Sequence, residues 1–309
     1  MIVPTHRRLD SLRRLLSGLE EQTLPRDRWE AVIVDDGSGP DIAASIDELA
    51  REASFSVRVV HRDASGGPAV ARNQGWRSTG TPLVAFVDDD CVPQPKWLEC
   101  GLAGFTGPSV GVVQGRTVRP ATGDQYPYTP FTVVREVHTP SPWFEGCNIF
   151  FRRDALEQTG GFDESFGRFP CGEDTNLGWS VLGAGWEREW SDDAVVEHEL
   201  SERPWSWHLR FHWLEGNTVE LATRYPEMRS MFWRPWAIKR ENALFALALA
   251  GVLASLRFRP AIVAAVPYVA WLGPGRRTGA AGVALQVASH AASLASKAAA
   301  GARTGTFLL

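Results

Sequence analysis

Short apolar runs and helix-spaced apolar positions take turns along roughly the first two thirds of the chain. Ile2-Val3-Pro4-Thr5 reads as a strand, and Leu12, Leu15, Leu16 and Leu19 behind Asp10-Ser11 repeat with the spacing of a capped amphipathic helix. Trp29 to Val34 is a second buried strand, stopped by the turn-forming cluster Asp35-Asp36-Gly37-Ser38-Gly39-Pro40. A helix over 42–52, a strand at Val57–Val60 and a helix over Pro68–Arg77, opened by Gly66-Gly67, follow. The next strand, Leu83–Val87, runs into Asp88-Asp89-Asp90. Further on, Val110–Val113, Asn148–Phe151 and Ala194–His198 read as short strands, with helices over Arg153–Thr159 and Thr175–Leu182. The alternation predicts an α/β fold, a mostly parallel sheet flanked by helices, in which ligands bind at the carboxyl ends of the strands. Residues 105–145 otherwise lack regular pattern and read as a substrate-side insertion. The first strand begins almost at Met1, and strands of roughly five or six residues would take two or three more upstream, which leaves the natural start open.

Beyond residue 200 the pattern changes. A Trp- and Arg-rich helical stretch continues to about Trp236, followed by the apolar runs Ala243–Leu256 and Ala261–Leu272 on either side of Arg257-Phe258-Arg259-Pro260. Each run is shorter than the about 20 apolar residues a spanning helix needs. They are either a pair of core helices or a hairpin dipped into one leaflet. Trp205, Trp207, Trp213, Trp233 and Trp236 fit an interfacial belt or ordinary packing, and 278–305 is either a weak amphipathic helix or a disordered tail.

With 44% hydrophobic residues the chain can bury a core without disulfide staples, and its net charge of −4 gives no case for nucleic-acid binding. The charge is uneven, however. Acidic residues prevail up to residue 200 and basic ones after it, and no acidic residue follows Glu241. That asymmetry favours peripheral contact of 242–309 with the cytoplasmic face of the cell membrane, where anionic headgroups meet Arg and Lys. Cys91, Cys100, Cys147 and Cys171 show no metal-ligand spacing and, with no secretory leader pattern, read as small buried hydrophobes in a reducing compartment.

Asp88-Asp89-Asp90 carries the first chemical signal. Carboxylates side by side at a buried strand end repel one another unless a cation lies between them or solvent reaches them. A solvated acidic turn is one reading. The other is a site for Mg2+ or Mn2+, which bind one or two protein carboxylates together with phosphate oxygens and so suit a nucleotide diphosphate. Asp35-Asp36-Gly37-Ser38 alone is ordinary turn chemistry. Two acidic strand ends in one parallel sheet are less ordinary.

Taken together, Pro4-Thr5-His6-Arg7, Val34-Asp35-Asp36-Gly37-Ser38, Ala71-Arg72-Asn73-Gln74-Gly75, Val87-Asp88-Asp89-Asp90 with Pro95-Lys96-Trp97-Leu98, Gly160-Gly161-Phe162-Asp163-Glu164 and Gly172-Glu173-Asp174 resemble the family 2 glycosyltransferases, inverting enzymes of the GT-A fold. The resemblance covers roughly residues 1–215. It implies a catalytic domain over 1–215, with a nucleotide-binding half at 1–104 and an acceptor half at 105–215. A helical linker at 216–241 and the apolar basic tail at 242–309 would follow.

By the same resemblance Asp36 accepts from the nucleotide base, beside Pro4 and Thr5, and Arg72 contacts the nucleotide. Asp88 and Asp90 match the ends of the DxD motif, with Asp89 between them in the nucleotide-sugar site, Asp90 the foremost metal ligand and His198 the carboxy-terminal one. Asp174 matches the catalytic base, with Glu173 supporting it. A lone His is also a common structural residue, and Glu173 is equally a helix N-terminal acid. Trp143, Phe144 and Glu145 border the sugar and acceptor in the family. The Gln-x-x-Arg-Trp sequence of processive members is missing from His208-Leu209-Arg210-Phe211-His212-Trp213, so the resemblance implies a single transfer.

The expectation is therefore a metal-dependent transferase that takes a sugar from a UDP, GDP or dTDP donor to a lipid-linked or cell-envelope glycan. The alternative is a catalytically silent GT-A module that binds sugar nucleotides, although such a module has no reason to keep Asp90, Asp174 and Arg72 together. A nucleotidyltransferase would want a Gly-rich phosphate loop near the first strand, where Gly66-Gly67-Pro68 comes too late. A dehydrogenase would want GxGxxG there.

Overall fold

Alternate residues of the first strands are buried on both sides, as a parallel sheet covered on two faces requires. In the computed structural model, which describes residues 1–121, 129, 131–169, 171–272 and 279–309, β1 (Ile2–Thr5), β2 (Ala31–Asp35), β3 (Val57–His61) and β4 (Leu83–Val87) run parallel in the order β3-β2-β1-β4. Val3 and Ile33 point to the face covered by α1 (Leu9–Glu20), whose Leu12, Leu15, Leu16 and Leu19 are buried in the same cluster. Ile2 and Val34 point the other way, onto α3 (Pro68–Arg77), and α2 (Pro40–Glu52) joins β2 to β3. A Cβ on Gly75 would lie 2.4 Å from Ile2 Cγ2, so α3 reaches the sheet at a distance only glycine allows.

Beyond β4 the sheet becomes mixed. After β5 (Cys91–Pro93) and α4 (Trp97–Ala103), the strand β6 (Val110–Val118) is nine residues long where the pattern marked only Val110–Val113. Its continuation carries Gln114, Gly115, Arg116 and Thr117, polar or small residues that break the apolar run, yet they pair along β9. One segment of the stretch read as an irregular insertion, Val110–Val118, is thus central sheet; 122–128 and 130 lie outside the described residues. After the short strand β7 (Thr132–Val133), β8 (Asn148–Arg152) lies antiparallel between β4 and β6. Next come α5 (Arg153–Thr159), α6 (Glu173–Gly183) and β9 (Glu187–His198). β9 has twelve residues, more than the short apolar segment suggested, because its first half alternates exposed charges with half-buried residues at the sheet margin. Among the described residues eight strands form this sheet, ordered β3-β2-β1-β4-β8-β6-β9-β5.

The chain divides into two compact units, Met1–Gly123 with Val134–Leu200, and Asp124–Val133 with Ser201–Leu309. In the second, β7 pairs with β10 (Ser201–Glu202). The Trp-rich stretch, read as helix to about Trp236, is α7 (Trp205–Leu214), α8 (Gly216–Arg224) and a 3-10 turn over Pro226–Met231, with Trp233 and Trp236 beyond them outside any helix. Then follow α9 (Arg240–Ser255), a 3-10 turn over Arg259–Ala265, α10 (Val266–Leu272) and α11 (Gly279–Thr304). Residues 279–304 are thus a helix, the first of the two readings, and not a tail; residue 278 lies outside the described residues. Ser289, His290, Ser293, Ser296 and Lys297 face inward along it. Ser293 and Lys297 meet Glu215, whose carboxylate lies 2.5 Å from Ser293 Oγ and 3.2 Å from both Lys239 Nζ and Lys297 Nζ. Burial raises Glu215 and the two lysines more than reverse it, holding that carboxyl well below its usual range. No helix among the described residues is long and apolar enough to cross a membrane.

Candidate active site

The carboxyl end of β4 delivers Asp88, Asp89 and Asp90, and the chain turns there through a bond from Cys91 N to Asp88 O into β5. β5 pairs antiparallel with β9 in a register that sets Cys91 opposite His198. His198 Nε2 therefore comes to 3.6 Å from Asp90 Oδ1 across more than a hundred residues of chain, both side chains mostly buried. The other Asp90 oxygen, Oδ2, accepts from Arg8 Nη1 at 2.7 Å, and the same nitrogen donates to Asp89 Oδ1 at 3.1 Å. Asp89 turns back into the sheet, where its Oδ2 accepts from Thr5 Oγ1 at 2.8 Å. Burial pushes Asp89 up to about 7 against the pull of Arg8. Thr5 thus holds the acidic loop, while Pro4 lies in the β1–β2 ladder opposite Val34.

Arg72, on α3, is buried between two acidic segments. Its Nη2 donates to Asp88 Oδ1 at 2.7 Å and its Nη1 to Glu173 Oε1 at 3.1 Å, with the guanidinium 5.4 Å from the Phe162 ring centroid. The planar fork suits this two-sided role, since each arm meets a different carboxylate. Burial alone would raise Asp88, but the charge and hydrogen bond of Arg72 carry it below the usual carboxylate range. Burial and then the neighbouring Asp174 push Glu173 up to about 7, despite Arg72, and its Oε2 has no hydrogen-bond partner among the described residues.

Asp174 sits in the first turn of α6, entered through Gly172 at φ +102°, a left-handed conformation natural to glycine. Its Oδ2 accepts from Gly146 N at 3.0 Å and its Oδ1 from Thr175 N at 2.8 Å. Burial raises its pKa, and Arg72 with the two N–H groups opposes the rise without cancelling it. Oδ1 also lies 3.5 Å from Thr175 Oγ1, whereas Oδ2, with one donor among the described residues, keeps a lone pair for a proton. Glu173, the residue before Asp174, and Asp88 are joined through one guanidinium. Glu145, two residues before Cys147, is buried behind this group, accepting from Gln114 Nε2 at 2.6 Å and Ser141 Oγ at 2.9 Å. Burial raises it as well.

Asp36, at the end of β2, stands apart from that group. Its oxygens accept from Ser65 Oγ at 2.8 Å, Gly66 N at 2.9 Å and Gly67 N at 2.8 Å, and Arg62 Nε is 2.9 Å away. These donors fill most of its lone pairs and pin the 65–67 loop ahead of α3. Gly67 has φ +94°, and a Cβ there would lie 2.7 Å from Arg168 Cα, so the loop cannot take a side chain at that point.

Asp90, Cys91 and His198 form the only cluster among the described residues with ligand atoms all within 4.8 Å of one another. Cys91 is a poor member, because burial and its neighbour Cys147 keep the thiol protonated. The oxygen and nitrogen donors are better placed. His198 Nδ1 lies 2.9 Å from Glu199 O, a carbonyl that only accepts, so Nδ1 carries a proton and Nε2 is the nitrogen facing Asp90. A carboxylate and an imidazole so oriented, with Asp88 in the same loop, fit Mn2+ or Mg2+.

Sequence reasoning passed over Arg8, Arg62 and the Asp36 donors. Arg8 carried a usable signal: a basic residue three positions past a strand end, in a sheet whose next acidic strand end needs a counter-charge. The Arg72–Glu173 bond had none, because it closes a separation of 101 residues.

The description "Glycosyl transferase family 2" matches residues 1–161, and "Glycosyl transferase family group 2" matches 83–274. The chain is 29% identical over 239 residues to the pre-mycofactocin glycosyltransferase of Mycobacterium tuberculosis, covering 74% of this chain and 48% of that protein, so it spans about half that relative's length. It is 26% identical over 206 residues to glycosyltransferase AglE of Haloferax volcanii, covering 64% and 66%. Among solved structures it resembles the mannosyltransferase PcManGT from Pyrobaculum calidifontis in complex with GDP-Man and Mn2+, at TM-score 0.70 and 20% identity over 95% of this chain and 86% of that one. Staphylococcus aureus TarS 1-349 in complex with UDP-GlcNAc aligns at TM-score 0.56 and 17% identity over 99% and 91%. These likenesses establish a GT-A-like fold. With more than half its length matched by the family description, the chain belongs to glycosyl transferase family 2.

Proposed function

We propose that the protein transfers one sugar from a nucleotide diphosphate donor to an acceptor hydroxyl, with inversion at the anomeric carbon. The observation that carries this reading is the bridge from Asp88 through Arg72 to Glu173, which holds a cation-competent corner and the Asp174 carboxylate in one frame. Asp174 is the base: its raised pKa and the lone pair left on Oδ2 suit it to take the acceptor's proton as the hydroxyl oxygen bonds to the anomeric carbon and the bond to the diphosphate breaks. Attack from the face opposite the leaving group gives inversion. A divalent cation held by Asp90 and His198, with Asp88 nearby, supplies charge neutralisation for the departing diphosphate. Glu173 and Arg72 fix the position of Asp174, and Arg8 with Thr5 fixes Asp89 and Asp90. The relatives whose structures contain GDP-Man or UDP-GlcNAc support a nucleotide-sugar donor. We assign the acceptor to the lipid-linked or cell-envelope glycans met at the cytoplasmic face of the membrane, a reading supported by the acid-free apolar stretch after Glu241.

The test is a panel of UDP, GDP and dTDP sugars with Mn2+, read by thermal shift and by donor turnover. Asp174→Asn keeps the donor-induced shift and loses about 100-fold or more in turnover, the scale of a general base. Undiminished turnover in that variant refutes the assignment. A protein that binds no donor at all refutes the function.

A further inference from the structure

Of the helical pair expected either to pack as core or to dip into a leaflet, one face packs as core. One stripe of α9 is committed inward: Asn242 Nδ2 donates to Ser293 Oγ at 3.2 Å, Phe245 packs edge-on against Tyr268 at 5.3 Å, and Tyr268 OH meets His290 Nδ1 at 2.8 Å. At Gly251 the following 3-10 turn approaches so closely that a Cβ would lie 2.6 Å from Ala264 Cβ. The hairpin is therefore braced on α11 and closed on itself. Its outer surface has no such partners among the described residues. Leu253, Leu256, Phe258, Ile262, Val263 and Val266 are all more than half exposed, Leu256 at 85% and Val263 at 68%. Scattered exposed leucines are ordinary, but a contiguous apolar tip of this kind marks a contact surface. Arg257 and Arg259 are exposed within the tip, and no acidic residue follows Glu241 anywhere in the sequence.

We infer that the hairpin tip, from Val252 to Val266, is an interfacial anchor that seats on a bilayer rich in anionic lipid without crossing it. Charge complementarity selects this occupant. Two arginines amid apolar side chains, with no neighbouring carboxylate to neutralise them, match a surface that offers hydrocarbon beneath negative headgroups. The bracing on α11 sets the depth, since the buried stripe of α9 stays with its own polar and aromatic partners while the outer face enters the headgroup region. This goes beyond the proposed transfer reaction, and its test reads no sugar chemistry, so either can fail alone.

The experiment is flotation of the full chain with vesicles of phosphatidylcholine alone or mixed with phosphatidylglycerol. The protein floats with the mixed vesicles and only weakly with the neutral ones, and added salt reduces the difference. Leu256→Glu combined with Val263→Glu lowers the floated fraction at least tenfold while circular dichroism and the melting temperature stay unchanged, because both positions are solvent-exposed. Arg257→Gln with Arg259→Gln removes the preference for phosphatidylglycerol, roughly fivefold for each arginine. The inference is overturned if the parent protein stays unbound to both vesicles or if the glutamate pair floats as well as the parent. It is equally overturned if light scattering finds a dimer that the glutamate pair dissolves, since the tip would then cover a second copy.

Discussion

Replacing Arg72 with Met tests whether one guanidinium holds the site together. The side chain is 4% exposed and is hydrogen-bonded to Asp88 and to Glu173, so its loss strands two carboxylates in a desolvated wall. The least costly response is protonation. Glu173 already sits near 7 and takes up a proton at neutral pH at little cost. Asp88 must be carried from an ordinary carboxyl pKa of about 4 to neutral at pH 7, about 3 units at 1.36 kcal/mol each, or roughly 4 kcal/mol. That agrees with the about 3–5 kcal/mol typical of breaking a buried ion pair from one side. At roughly 2–4 °C per kcal/mol for a domain of this size, the melting temperature in metal-free buffer falls by on the order of 10 °C.

The pH dependence gives the sharper signature. In the parent, the lowered pKa of Asp88 contributes stability that is present above the usual carboxyl range and lost as pH falls through the folded-state value. In the variant both acids bind protons on folding, so stability drops as pH rises. The deficit therefore shrinks by about 1.4 kcal/mol for each pH unit below 7 until the unfolded carboxyls themselves protonate. Urea unfolding of parent and variant at pH 5, 6, 7 and 8 measures it. A deficit under about 1 kcal/mol at pH 7, or one of constant size across the series, refutes the argument.

Three further outcomes are expected. Arg8→Ala frees Asp90 Oδ2 and removes a positive charge from the cation corner, so the metal-free protein loses about 1 kcal/mol while the Mn2+-induced rise in melting temperature becomes larger than in the parent; an unchanged metal response argues against the corner as a cation site. Gly178→Ala puts a Cβ 2.1 Å from the Phe144 ring on the inner face of α6, and the overpacking costs about 1–3 kcal/mol by chemical denaturation together with a loss of turnover, because α6 carries Asp174. Glu173, raised to about 7, makes the parent lose stability as pH climbs from the ordinary carboxyl range to 7, and Glu173→Gln flattens that slope in the same unfolding series.

The parts legible in the sequence are those written in neighbouring residues. Apolar runs ending in Asp35-Asp36 and Asp88-Asp89-Asp90 announce buried strands with acidic tips, and the leucine spacing of α1 announces the face that covers them, because strand and helix periods are local properties of the backbone. The exposed tip of α9 could be named from its arginines and the missing acids. The long strand β6 could not, since Gln114, Gly115 and Thr117 look like loop residues until β8 and β9 flank them. The same holds for α11, whose Ala- and Ser-rich sequence has a weak apolar face and buries one side through Glu215 and Asn242 on other elements. His198 faces Asp90 because β5 and β9 pair in one register, and Arg72 meets Glu173 because α3 and the start of α6 converge over the sheet. Pairings between distant segments depend on which packing satisfies the most buried polar groups at once, a property of the assembled chain that no window of neighbouring residues contains.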